Sequence, residues 1–157
     1  MMDNLDAKIL NLVQKDNRLT VEQIGAQIGL SGSACQRRLS RLRATKVIRN
    51  DIAVVDPNKV DKKLTMIIDV TLERERPDVI SRFKKTMQDH PHVMQCYYVT
   101  GDKDFILIVA MRDMAEFEEF QTEFCTQNPA IGRFSTSVVV DPVKVGLSIL
   151  VEADMGS

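Results

Sequence analysis

Apolar residues recur at helical spacing through the first 48 positions and alternate after position 63, so the chain changes its period once. Leu5, Ile9, Leu12 and Val13 fall on one face of a first predicted helix, opened by Asp3 or Asn4 as its cap. Asp16-Asn17-Arg18 breaks that helix. Thr20 caps a second one, with Glu22 and Gln23 close behind it near the capping-box position. Val21, Ile24, Gly25 and Ile28 form its inner face, and Gly29 supplies a left-handed exit. Ser31 caps a third helix with an inner stripe of Cys35, Leu39 and Leu42. Val47-Ile48 and Ile52 to Val55 read as short extended segments before the turn signal Asp56-Pro57-Asn58.

Leu64 to Glu73 alternates through Leu64, Met66, Ile68, Val70 and Leu72, which predicts a strand with one apolar face. Pro77 stands where a helix can begin, with Ile80, Phe83 and Met87 inward and His90-Pro91 ending it. Val93 to Thr100 and Phe105 to Met111 read as strands joined through Gly101-Asp102-Lys103-Asp104. Phe117, Phe120 and Phe124 mark a further helix stopped by Asn128-Pro129, and Ile131 to Val140 a last strand. The order βαββαβ is the ferredoxin-like split motif, with both helices on one side of an antiparallel sheet. The other sheet face, with Ile67, Val99, Ile108 and Val139 available to it, predicts self-association. The expected fold class is α+β: a winged helix-turn-helix domain over residues 1–55, a linker over 56–63, the βαββαβ domain over 64–142 and a tail over 143–157.

Composition narrows the class. The chain has 157 residues, 44% hydrophobic and 27% charged, the balance of a globular protein and not of a disordered one. No apolar run approaches the ~20 residues of a membrane span. The acidic N-terminus lacks a secretory pattern, and Cys35, Cys96 and Cys125 are scattered without a Cys-x-x-Cys; both features point to a reducing cytoplasm. Net charge is −1, but residues 1–62 carry 11 Lys and Arg against 7 Asp and Glu, while the remainder reverses the balance. Between Ser31 and Arg49 lie Arg37, Arg38, Arg41, Arg43, Lys46 and Arg49 with no acid at all. Such a patch attracts a polyanion, although a charge run of this size is also what a solvated helix face looks like.

The helical pattern decides between those readings. The second and third helices have the spacing of a helix-turn-helix, with Gly25 at a close crossing and Gly29 at the turn. Centring the buried face on Cys35 and stepping 100° per residue directs Ser33, Gln36, Arg37, Ser40 and Arg41 outward, with Arg38 and Arg43 on the flanks. Arg can donate twice to guanine and Gln can pair with adenine, while flanking Arg and Ser hold phosphates. Ser31, Gly32 and Ser33 place backbone amides at the helix N-terminus, where a phosphate can be met. The expected DNA-contacting set is Ser31, Ser33, Gln36, Arg37, Arg38, Ser40, Arg41 and Arg43, and the expected partner is double-stranded DNA.

Taken together, these pieces resemble the Lrp/AsnC (leucine-responsive, feast/famine) transcription regulators over nearly the whole chain. The resemblance is carried by Asp3 and Asp6 before Lys8-Ile9-Leu10, by Asp16 to Thr20, by Leu30-Ser31 through Leu42 with Val47-Ile48, and by Gly101 to Phe105. Lys46 departs from it, because the family usually has Gly before the Val-Ile pair, and the tail after Pro142 departs as well. The resemblance implies a dimer of paired βαββαβ domains, with assembly to a tetramer of dimers, and an amino-acid effector near the Gly101–Asp104 turn. Candidate effector residues are Gly101, Asp102, Asp104, Thr136 and Ser137. Asp104 would take an ammonium group, and turn amides or the Thr136 and Ser137 hydroxyls a carboxylate. Spacing alone reads the same turn as a hairpin whose acids merely cap it.

No cofactor or metal is expected. His90 and His92 flank Pro91 without further ligands, Cys35 reads as packing, and Glu116, Glu118, Glu119 and Glu123 read as a solvated face. No Ser-His-Asp order or phosphate-binding Gly loop is present, so an enzyme is not expected. The expected function is a sequence-specific DNA-binding regulator modulated by an amino acid. The alternative is a ligand-independent architectural DNA-binding protein that oligomerises through its C-terminal domain.

Overall fold

A computed structural model describes residues 2–73 and 76–153, so the last four tail positions lie outside the described residues. The chain divides into two compact units, Met1–Ala53 together with Lys144–Ser157, and Val54–Val143.

The first unit holds α1 (Asn4–Val13), α2 (Val21–Ile28) and α3 (Gly32–Ala44). Asp3 caps α1 and exchanges hydrogen bonds with Asp6 in a capping box, and Thr20 does the same with Gln23 on α2. Ser31 caps α3 by accepting from the Ala34 N–H at 3.3 Å. Gly29 closes α2 at φ +74°, the left-handed conformation a side chain resists. At Gly25 an added Cβ would collide with the Leu30 carbonyl oxygen, which is how closely α2 meets the turn into α3. The core is Ile9, Leu10, Ile24, Cys35, Leu39 and Leu42. The buried stripe of α1 runs through Asp6, Ala7, Ile9 and Leu10. Leu12 and Val13, expected on the inner face, pack only partly at its margin.

One expectation for the end of this unit needs correction. The segments Val47-Ile48 and Ile52 to Val55 form no strand, and among the described residues no strand precedes Leu64, so no strand-built wing follows α3. Their main chain finds no ladder partner, and Ile52, Val54 and Val55 stay exposed. At the exit from α3, where the resembled pattern has glycine, Lys46 itself adopts φ +59°. The Ile48 N–H reaches back to the Leu42 carbonyl at 3.0 Å and closes the turn. A side chain in that region costs about 1–2 kcal/mol. Lys46→Gly is therefore expected to raise the stability of this unit by about 1 kcal/mol in a denaturant titration, part of the relief being lost to unfolded-chain entropy.

The second unit opens with a 3-10 turn (Pro57–Val60) and continues as β1 (Leu64–Leu72), α4 (Pro77–Asp89), β2 (Val93–Tyr98), β3 (Phe105–Met111), α5 (Met114–Gln127) and β4 (Ile131–Val138). The antiparallel sheet has the order β2-β3-β1-β4, the ferredoxin-like arrangement. Met66, Ile68, Val70 and Leu72 of β1 and Phe105, Leu107, Val109 and Met111 of β3 point to the helices. There they meet Phe83 and Met87 of α4 and Phe117, Phe120 and Phe124 of α5. Because side chains alternate in a strand, the opposite face carries Ile67 paired with Ile108, and Tyr97 paired with Ile106.

His90 follows α4 with its ring edge-on to Phe120, 5.1 Å between centroids, and its Nδ1 accepts the His92 N–H at 3.3 Å. Burial pushes its pKa below the ordinary histidine value, against the opposing pull of Glu123 and with help from His92. Between the folded and unfolded pKa values the unfolded chain binds the proton more readily, so stability falls as pH drops below about 6.5. The melting temperature of the chain should therefore decline from pH 7.5 to pH 5, and His90→Gln should flatten that decline.

Candidate DNA-binding surface and effector site

Helix α3 presents Ser33, Gln36, Arg37, Ser40 and Arg41 as exposed residues, while Cys35, Leu39 and Leu42 are buried behind them. Ser31 and Ser33 share a hydroxyl contact of 3.2 Å at its N-terminus, and Gln36 donates to the Ser40 hydroxyl at 3.3 Å. Arg37 takes part in no ion pair among the described residues.

The other three arginines are not free in the same sense. Asp6, 1% exposed, accepts from Arg38 Nη1 at 2.8 Å and from Arg41 Nη2. Asp3 accepts from the same Arg38 nitrogen at 2.6 Å. The two acids raise the Arg38 pKa further above its ordinary value, Asp3 contributing more than Asp6. The Asp6 N–H and then Arg38 hold the Asp3 carboxyl below the usual carboxylate range. Arg43 bonds Asp51 at 3.0 Å, and Asp51, its pKa lowered first by that arginine, also accepts from Asn17. An arginine carries five N–H donors, so Arg41, half exposed, keeps donors for a phosphate. Arg38 is largely consumed in fastening α3 to α1. Asp6 is the residue that sequence reading missed; its place one turn behind Ile9 and Leu10 on the same helix face was the available signal.

In the second unit the turn between β2 and β3 borders an open depression of about 670 Å³ lined by Tyr98, Val99, Thr100, Asp102, Lys103 and Ile106. Gly101 turns the chain at φ +111°. Of the candidate effector residues, Asp102 lines this depression, and Gly101 lies in the chain between its lining residues Thr100 and Asp102. Asp104 does not line it. Its carboxylate is buried and accepts the Leu72 N–H at 2.7 Å, while its main chain bonds Val70 and Val99. An acid so buried and engaged is not open to an arriving ammonium group. Thr136 and Ser137 pair with Ile68 and Ile67 on β4, the edge strand on the far side of β1 from the turn. As neighbours in a strand they point to opposite faces, so they do not act as a pair, and neither lines the depression. Lys103, overlooked as a site residue although it lies inside the same motif, pairs with Asp69 of β1. A cation, Lys103, and one carboxylate, Asp102, thus stand beside the apolar Val99 and Ile106. Among the described residues no cluster of His, Cys, Asp and Glu suits a metal ion, and no helix is long and apolar enough to cross a membrane.

A helix-turn-helix with a polar, basic recognition face, carried on the same chain as a βαββαβ unit with an open depression beside its β2–β3 turn, defines a DNA-binding regulator with a ligand-binding domain. Residues 2–43 match the AsnC-type helix-turn-helix domain and residues 65–149 the Lrp/AsnC ligand binding domain. The chain belongs to the Lrp/AsnC family of transcription regulators. It is 49% identical over 96% of its length to an HTH-type transcriptional regulator of Sinorhizobium fredii, covering 89% of that relative. It is 31% identical over 91% of its length to the leucine-responsive regulatory protein of Escherichia coli, covering 87% of it. Among solved structures, an AsnC family regulator from Agrobacterium tumefaciens superposes with a TM-score of 0.89 at 29% identity, over 94% of this chain and 96% of that one. A transcriptional regulator from Neisseria meningitidis in complex with L-Met superposes with a TM-score of 0.88 at 28% identity, over 95% of this chain and 96% of that one.

Proposed function

We propose that this chain is a sequence-specific regulator whose operator binding or assembly is shifted by an amino acid held beside the β2–β3 turn. The observation that carries the reading is the depression itself, where Lys103 and Asp102 stand next to Val99, Ile106 and Tyr98. A zwitterion matches it: Lys103 takes the carboxylate, Asp102 the ammonium group, and the apolar wall an apolar side chain. The relatives named for leucine and seen with L-Met support that class of ligand.

On the DNA side, Ser33, Gln36, Arg37 and Ser40 read base edges, Ser31 and the amides of the α3 N-terminus meet a phosphate, and Arg41 and Arg43 support phosphate contacts with their remaining donors. The unit works as a dimer, or a tetramer of dimers, in the cytoplasm and on the nucleoid. Support for assembly comes from the apolar sheet face around Ile67 and Ile108 and from exposed Val54, Val143, Val145 and Leu147.

Isothermal titration against the common amino acids, with the mass in solution recorded alongside, tests the effector reading. Saturable heat with one or a few apolar amino acids is the expected result. Lys103→Ala should weaken that binding by roughly tenfold or more, because it removes a charge-assisted bond worth about 1.5–3 kcal/mol. Flat heats throughout, with DNA binding intact, would overturn the effector reading and favour a ligand-independent architectural role.

A further inference from the structure

The chain passes from the first unit to the second between Ala53 and Val54, and it returns between Val143 and Lys144. Over its described residues, 144–153, the returning segment carries no helix or strand, yet it is bonded to α1 with a regular pattern. The Asn11 side-chain amide donates to the Val151 carbonyl at 2.8 Å and accepts the Val151 N–H at 3.0 Å. One turn further along α1, Gln14 donates to the Ile149 carbonyl at 3.0 Å and accepts the Ile149 N–H at 2.9 Å. Two carboxamides, three apart on a helix, therefore grip two residues, two apart on an extended chain. Each satisfies both main-chain groups of its residue, as a neighbouring strand would. Recognition of this kind reads backbone and fixes register without demanding a side chain. Side-chain anchoring comes from Val151, which turns in against the core formed by Ile9, Leu10 and their neighbours, whereas Ile149 and Leu150 remain exposed.

We propose that the segment around Ile149–Val151 is a docking strap of the same chain and that the Asn11–Gln14 edge of α1 is its receptor. Docked, it gives the DNA-binding unit a second, hydrogen-bonded tether to the ligand-binding unit. Undocked, it leaves the unit on the 54–63 connection alone. Each connection confines the unit to a smaller volume, so docking narrows the set of half-site spacings that an assembly of this chain can span. The strap governs spacing and not base reading, because Asn11 on α1 and Gln14 at its C-cap make these bonds and the exposed face of α3 is untouched by them.

The test uses the full-length chain carrying Asn11→Ala with Gln14→Ala, substitutions that favour helix and leave the core intact. Hydrogen exchange at the Ile149 and Val151 amides is expected to quicken by roughly tenfold or more, the loss of about one net hydrogen bond for each residue. Affinity for a duplex with a single half-site, selected by the wild-type chain from a random pool, should stay within about twofold. The preference between two half-sites set about one helical turn apart and about one and a half turns apart should fall by roughly tenfold. A chain ending at Val143 should behave the same way. Unchanged exchange at both amides overturns the strap, and so does wild-type protection that depends on protein concentration, which would hand the segment to a second copy. Freed amides with an unchanged spacing preference overturn its role on DNA.

Discussion

Asp6→Ala is expected to destabilise the DNA-binding unit by about 2–3 kcal/mol and to weaken DNA binding beyond that loss. The carboxylate is the shared acceptor of Arg38 and Arg41 and sits on the buried face of α1. Removing one partner of a buried charge pair costs about 3–5 kcal/mol, because the remaining charge is left without compensation. The lower figure applies here, since Arg41 is half exposed and can turn to water and Arg38 keeps Asp3. The additional loss on DNA arises because α3 is aligned with α1 through these same bonds. Asp6→Asn separates packing from charge: it keeps the volume and loses the ability to accept from two guanidinium groups. Chemical denaturation gives the stability term, and DNA titration well below the unfolding midpoint gives the rest. A stability change under about 0.5 kcal/mol for Asp6→Ala would show the network to be solvated and dispensable.

The second large effect is expected at Arg37. Arg37→Ala should lower affinity for a specific site by about 1–3 kcal/mol, roughly five- to 150-fold, with little change in stability. Arg37 is exposed, lies on the face opposite Cys35 and Leu39, and among the described residues has no acid drawing it away. Arg38→Ala provides the contrast. That change should act mainly through stability, since the guanidinium is spent on Asp3 and Asp6. The two variants, compared on specific and on scrambled duplexes, separate a base reader from a fastener. Equal losses of specificity in both would reverse these assignments.

Local patterns in the sequence accounted for most of the architecture because each depends on near neighbours. Caps at Asp3, Thr20 and Ser31 need only the following three residues, and the alternation in β1 and β3 needs only a pleat with one buried side. Charge was the less legible part. Arg37 and Arg38 look alike in a string of bases, and what distinguishes them is an acid 32 residues earlier on another helix. Asp104 presents the same difficulty, since its hydrogen bond to Leu72 spans 32 positions and turns an apparent ligand group into a structural one. Thr136 and Ser137 were grouped by adjacency, although a strand places neighbours on opposite faces. The contacts of Asn11 and Gln14 with the tail link positions 135–140 residues apart, beyond any periodicity.

The engagement of Asp104 has a consequence for the turn it terminates. With its side chain holding Leu72 and its main chain bonded to Val70 and Val99, one end of the four-residue connection is pinned on both sides. Gly101 supplies the bend at the other end. The backbone of the loop is thus held at both ends, and an amino acid bound as proposed beside Asp102 and Lys103 would surrender little of its binding energy to the entropy of freezing that backbone in place.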